Sequence, residues 1–223
     1  MAALHRHPSC SSADTLLRHP FTAVVAGSTG AGKTVFLSKL VSRRNTMITP
    51  PVSRVLYSYK RYQTIFDSMD GVEFVKGSDY KLDPAVPTLL IIDDQASDSD
   101  SIDVERLFTV DSHHSNTSVV LVTQNLFQQS KSFRTAALNA QYLFLFKSPR
   151  GMMQVSTLAR QLYPPSSSRR MIEAYADATT EPFTYLLVDL KSDTPPQLRL
   201  RAHILPGEGM EFMGATLTRC YRI

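Results

Sequence analysis

The stretch "FTAVVAGSTGAGKT", residues 21–34, joins a short apolar run to a glycine-studded turn that ends in Lys-Thr. No other feature constrains the fold as tightly. Residues 27–34 fit G-x-x-x-x-G-K-[ST], and they stand between a run that reads as a strand and "KTVFLSKLVSRR", a segment with helical spacing at Val35, Leu37, Leu40 and Val41. Gly27, Gly30 and Gly32 let the backbone curl, so that the N–H groups of the loop, Ser28, Thr29 and Ala31 included, face a phosphate beside the helix N-terminus. In that geometry Lys33 bridges the β- and γ-phosphates of a nucleotide, and the Thr34 hydroxyl ligates Mg²⁺.

The chain around this turn alternates apolar runs with helical patterns. Residues 53–59, 88–93, 117–124 and 141–147 read as further strands. "DVERLFTVDSHH", "SFRTAALNA", "GMMQVSTLARQLY" and "SRRMIEAYADA" read as helices. Strands apolar on both faces and separated by helices predict an α/β fold with a mostly parallel sheet flanked by helices. "TYLLVDL" and "LRLRAHI" predict an added C-terminal hairpin, the second strand alternating at Leu198, Leu200, Ala202 and Ile204. Residues 1–19 read as a flexible arm and 20–223 as one domain, a size at which 43% apolar content supplies a substantial core.

"LLIIDDQ", residues 89–95, ends an apolar strand on paired acids. Asp93 then lies at the carboxyl edge of the sheet, where open α/β sheets bind ligands, and is assigned to Mg²⁺. Asp94 occupies the slot in which hydrolytic members of this class usually carry a glutamate that polarises water. Aspartate does the same chemistry with a shorter reach; its other reading is a cap on the acidic, serine-rich loop that follows. The strand ending at Gln124 is expected beside the Asp93 strand, so that the amide senses the γ-phosphate and the attacking water. His113-His114 precede that strand. Neighbouring residues on a helix point about 100° apart and do not chelate together, and no third ligand stands at metal spacing. A helix C-terminal cap or a contact to a neighbouring subunit is the reading left for them.

Composition narrows the classes. A net charge of +4 permits a polyanion partner without demanding one. Cys10 and Cys220, near opposite ends, read as reduced thiols of an intracellular protein. No secretory h-region precedes the fold, and no run approaches the ~18 apolar residues that span a bilayer.

"GSTGAGKT", "LLIIDDQ", "LFTVDSHHSNTSVVLVTQNLF", "FRTAALNAQYLFLFKSPR" and "LARQLYP" together resemble the genome-packaging ATPases of the FtsK–HerA superfamily. Their nearest likeness is to those of Polinton/Maverick elements and related eukaryotic DNA viruses, over roughly residues 21–164. The resemblance implies a P-loop NTPase of the RecA-like (ASCE) type, using ATP and Mg²⁺, that assembles as a homo-oligomeric ring and threads double-stranded DNA into a preformed capsid. It implies capsid or portal-vertex partners and no membrane, at a nuclear or cytoplasmic assembly site, with transient association to the virion. It carries over Lys33 and Thr34 as phosphate and Mg²⁺ residues, Asp93 as the metal acid, Asp94 as catalytic base and Gln124 as sensor. Such rings also insert an arginine from the neighbouring subunit. Arg134 is assigned that role, with Arg106 and Arg150 as alternatives.

Two other readings share the loop. A non-packaging DNA translocase of the same superfamily has the same motifs. A small-molecule P-loop kinase needs an arginine-bearing lid, and no such segment is evident. A regulatory GTPase needs an N-K-x-D guanine reader, which is absent. Arg43-Arg44, Lys60-Arg61, Arg169-Arg170, Arg199, Arg201, Arg219 and Arg222 are the basic positions available for phosphate contacts. The acids after Pro165 (Glu173, Asp177, Glu181, Asp189 and Asp193) do not form the clustered set that a two-metal nuclease requires.

Overall fold

The computed structural model describes residues 6–7, 16–93, 104–111, 115–126, 131–149, 151–208, 211–212, 215–216 and 218–222. In chain order the strands are β1 (Arg6–His7), β2 (Leu17–Arg18), β3 (Thr22–Ala26), β4 (Ile48–Thr49), β5 (Arg54–Tyr59), β6 (Glu73–Lys76) and β7 (Thr88–Asp93), then β8 (Thr117–Thr123), β9 (Tyr142–Phe146), β10 (Tyr185–Asp189), β11 (Leu200–Ala202), β12 (Glu211–Phe212), β13 (Ala215–Thr216) and β14 (Arg219–Tyr221). They fall in two compact units.

The first unit holds Leu16–Ala26 and Lys33–Gln141. Its sheet runs β3-β8-β7-β5-β6, and every neighbouring pair is parallel. The sequence explains why: β3 and β8 are buried at every position and β7 at all but its last, as strands covered on both faces must be. β6, at the edge, is exposed at both ends and too polar to stand out in the sequence. The helix Lys33–Ser42 buries Phe36, Leu37, Leu40 and Val41, a stripe at three- and four-residue spacing. Val35, counted with that stripe in the sequence, is instead 48% exposed, because Phe36 supplies the inward position. The segment read as a helix before β8 forms α-helix over Val104–Arg106 and a wider π-turn over Leu107–Asp111.

At the amino-terminal edge of this sheet, His19 is buried between Ser118 and Asn116. Its Nδ1 lies 2.6 Å from Ser118 Oγ and its Nε2 2.9 Å from Asn116 Oδ1. At the far side, Tyr57, Tyr59, Tyr62, Phe66 and Phe74 form one aromatic cluster, with Phe66 and Phe74 stacked at 4.8 Å.

The second unit holds Gly27–Gly32, Tyr142–Ile223 and the N-terminal strand. Its strands run β1-β14-β11-β10-β9 and every pair is antiparallel. The predicted C-terminal hairpin is present as β10 and β11, extended by β14 and by β1, which the sequence did not mark as a strand. Two helices, Gly151–Leu162 and Pro165–Ala178, cover it in sequence between β9 and β10; Pro165 opens the second at the position where a missing N–H costs nothing.

Two expectations are corrected here. Cys220 is disulfide-bonded, not a reduced thiol; Cys10, the one other cysteine in the chain, lies outside the described residues. β1 pairs with β14 and sets His7 opposite Cys220. Strict alternation in β11 also fails. Leu200 and Ala202 are buried as expected, but Arg201 between them is 2% exposed because Asp189 on the paired strand neutralises it at 2.7 Å. Asp189 further accepts from Thr194 Oγ1 and the Lys191 amide, so both carboxylate oxygens are hydrogen-bonded, while Arg201 Nε is buried without a hydrogen-bond partner among the described residues. No helix among the described residues is long and apolar enough to cross a membrane.

Candidate nucleotide site

The glycine loop adopts the curled form that its sequence predicts. Gly30 and Gly32 have φ of +76° and +96°, a region L-residues avoid. Gly27 is needed for a different reason: a Cβ there would stand 2.6 Å from Phe146 Cβ, so only glycine lets the backbone pass β9. The Ala31 amide donates to Ser28 O at 3.1 Å and closes the turn. Ser28, Thr29, Gly30 and Ala31 form one side of a cleft of about 300 Å³; Lys147, Ser148, Pro149, Pro182 and Phe183 form the rest. Lys33 and Thr34 are the first two residues of the helix that follows, both half-buried. Its first turn carries no acid, so no carboxylate of that turn offsets the positive end of its dipole.

In the parallel sheet, register decides which side chains meet. Asp93 is opposite Val122, and Ala26 is opposite Thr123. β8 therefore runs between β3 and β7, as the sequence predicted for the strand beside Asp93. The three strands end together, and that edge carries Asp93 at the end of β7 and Gln124 just after β8. Thr123 Oγ1 donates to Asn125 O and accepts from the Asn125 amide, a tight turn that ends β8 and leaves Gln124 exposed. Asp93 is half-buried. Its Oδ2 accepts from the Tyr57 hydroxyl at 2.9 Å and from Gln63 Nε2 at 3.4 Å. Burial first, and then the Asp93 charge, push the Tyr57 hydroxyl far above its ordinary range, so it remains a donor at any working pH.

Several predicted residues are not placed. Asp94, the acidic loop after it, His113, His114 and Arg150 lie outside the described residues. Position 134 falls in the helix Lys131–Asn139, but the Arg134 side chain is outside the description too. Arg106 ends the short helix before the π-turn. Among the described residues no group of three or more His, Cys, Asp or Glu stands together.

The basic positions divide sharply. Arg201 is buried against Asp189 and Arg219 pairs with Asp177 at 2.9 Å. Arg44 donates to Val41 O, and Arg169 pairs with Glu173. Lys60, Arg61, Arg170 and Arg222 are exposed. Arg201 is removed from any surface role. Sequence reading missed Tyr57, Gln63, Lys147 and Phe183. The one available signal was the Tyr57-x-Tyr59 pair, polar-tipped aromatics on one face of an otherwise apolar strand.

No protein-family model matches the chain, and no curated protein does. Among solved structures it is similar to the genome packaging NTPase B204 from Sulfolobus turreted icosahedral virus 2 in complex with ATP-gammaS, at 13% identity over 82% of this chain and 97% of that one, with a TM-score of 0.49.

Proposed function

We propose that the chain is an ATPase that works as a ring-shaped motor on double-stranded DNA and packages a viral genome into a preformed capsid. The observation that supports the enzymatic part is the register of β3, β8 and β7, in which the strand that leads into the glycine loop ends beside the strands that lead to Asp93 and Gln124. The packaging role is supported by the sequence stretches that resemble the FtsK–HerA packaging ATPases.

The residues fit a nucleotide with Mg²⁺. A hydroxyl at Thr34 and a carboxylate at Asp93 are the hard oxygen donors that Mg²⁺ takes, usually one or two beside phosphate oxygens and water, and Tyr57 holds the carboxylate in one orientation. Held by Thr34 and Asp93, such an ion would supply positive charge to the phosphates of the nucleotide. Lys33 adds a point charge at the same phosphates, Asp94 accepts the proton of the attacking water, and Gln124 hydrogen-bonds water and γ-phosphate. Arg134 from the next subunit offsets charge in the transition state.

The test is a steady-state assay of phosphate release with Mg·ATP, with and without duplex DNA, alongside negative-stain images of the same mixtures. DNA-stimulated hydrolysis and rings support the motor. Transfer of phosphate to an added nucleoside, with no stimulation by DNA, makes the chain a kinase and ends this reading.

A further inference from the structure

We infer that the cleft beside the glycine loop is the nucleobase slot of the nucleotide, and that Phe183 is the platform on which a purine stacks. The inference rests on the nucleotide reading above and adds which part of the ligand this second surface takes. Four of the nine lining residues, Ser28, Thr29, Gly30 and Ala31, belong to the glycine loop, so the cleft adjoins the place where that loop would hold the phosphates of a nucleotide. Its volume of about 300 Å³ is at the lower end of small-molecule sites, suited to one ring system with its sugar.

Phe183 is the feature that packing alone leaves unexplained. It is 68% exposed, immediately before β10, whose five residues are all buried. Its φ is +64°, a left-handed conformation costly for a bulky side chain and persistent only where the surroundings impose it. Here they do. The Lys147 amide donates to Thr184 O at 3.3 Å, Lys147 Nζ donates to Thr180 O at 2.7 Å, and Thr184 Oγ1 donates to Glu181 O at 2.6 Å. These bonds hold the turn in which Phe183 stands.

The platform also touches the phosphate loop. A Cβ on Gly32 would come 3.0 Å from Phe183 Cβ and 3.3 Å from its Cδ1, so part of the side chain rests on the loop and the remainder faces the cleft. Pro149 and Pro182 add two more apolar surfaces without a donor or an acceptor side chain. Such walls meet the face of a base. Stacking strength on them favours adenine and guanine over cytosine and uracil.

The experiment is equilibrium binding of ATP, GTP, CTP and inorganic tripolyphosphate, each with Mg²⁺, to the wild-type chain, Phe183→Gly and Phe183→Trp. Glycine removes the ring at a position whose backbone suits it, so the variant keeps its turn, and tripolyphosphate reports the phosphate loop without a base. The expected result is ATP and GTP bound more tightly than CTP by the wild type. Phe183→Gly weakens ATP about ten-fold, leaves tripolyphosphate unchanged and brings the ATP and CTP affinities together; Phe183→Trp preserves ATP affinity. An equal loss for ATP and tripolyphosphate makes the ring a prop for the loop and overturns the inference, as does an unchanged ATP affinity in Phe183→Gly or wild-type CTP binding equal to ATP. A wild type that binds neither ATP nor tripolyphosphate removes the nucleotide reading itself.

Discussion

Tyr57 on β5 donates its hydroxyl to Asp93 Oδ2 at 2.9 Å across the pair of strands they belong to. The ring is fully buried and packs on Phe66 at 4.9 Å, so the donor cannot swing away. Tyr57→Phe keeps that packing and removes only the bond. Maximal ATP turnover should stay near wild type, while the Mg²⁺ concentration for half activity should rise about five-fold, the equivalent of one ordinary hydrogen bond. A Mg²⁺ titration of ATPase activity measures this, and an unshifted midpoint would leave Tyr57 with a packing role alone.

Lys33, Asp93 and Asp94 should fail in different ways. Lys33→Ala is expected to lose hydrolysis and weaken nucleotide binding with the fold intact, since Lys33 is a half-buried residue at the head of its helix. Asp93→Asn should lower Mg·ATP affinity together with turnover. Asp94→Asn should bind ATP normally and turn it over roughly 10²–10⁴ times more slowly, the usual effect of losing a positioned base. Calorimetric affinities beside single-turnover rates separate the three, and normal turnover in Asp94→Asn would remove that residue from the mechanism.

The loop glycines should not be equivalent either. Gly27→Ala forces a methyl to 2.6 Å from Phe146 Cβ, an overpacking expected to cost about 1–3 kcal/mol. Gly30→Ala meets nothing within 4 Å and bears only the left-handed backbone, about 1–2 kcal/mol. Urea denaturation should rank Gly27→Ala as the less stable of the two, and the reverse order would mean that β9 gives way easily.

The Arg201–Asp189 pair gives a stability prediction where the sequence offered a DNA contact. Both side chains are almost completely buried. Asp189→Ala should cost about 3–5 kcal/mol, because it strands a buried guanidinium, and replacing both by apolar residues of similar volume should recover most of the loss. Thermal melts of the single and double variants test this. An Arg201→Met protein that stays as stable as wild type but loses DNA binding would contradict it.

Acid should loosen the fold through His19. Burial lowers its pKa from 6.5, only partly opposed by its hydrogen bonds to Asn116. Native His19 therefore binds fewer protons than unfolded His19. Its contribution is present above pH 6.5 and is lost as pH falls below that value, so stability rises with pH through the window. His203, also lowered by burial, acts in the same direction. Urea midpoints from about pH 7.5 to about pH 5.5 should fall less steeply for His19→Gln than for wild type; an equal slope would show that His19 is not responsible.

The parts of this fold that were legible in the sequence are those set by local pattern. The glycine loop, the helix after it and the boundaries of Thr88–Asp93 each follow from neighbouring residues. So does the place of β8 beside β7, since a strand ending on an amide had one useful neighbour. What stayed hidden depends on partners distant in sequence. Arg201 looked like an outward residue in an alternating strand, and only Asp189 makes it an inward one. Tyr57 reads as one more core aromatic until register brings it to Asp93. Phe183 reads as core beside a buried strand, and its exposure is set by a turn held from Lys147.

The edge pairing of β1 with β14 has a consequence for how the chain is made. Arg6 and His7 leave a ribosome well before their partners Tyr221 and Cys220. Until then the first strand has no ladder to join, and the β10–β11 pair can form without it. Closure of so long a loop is slow and contributes little to the initial nucleus. This edge is therefore completed after the strands beside it have paired.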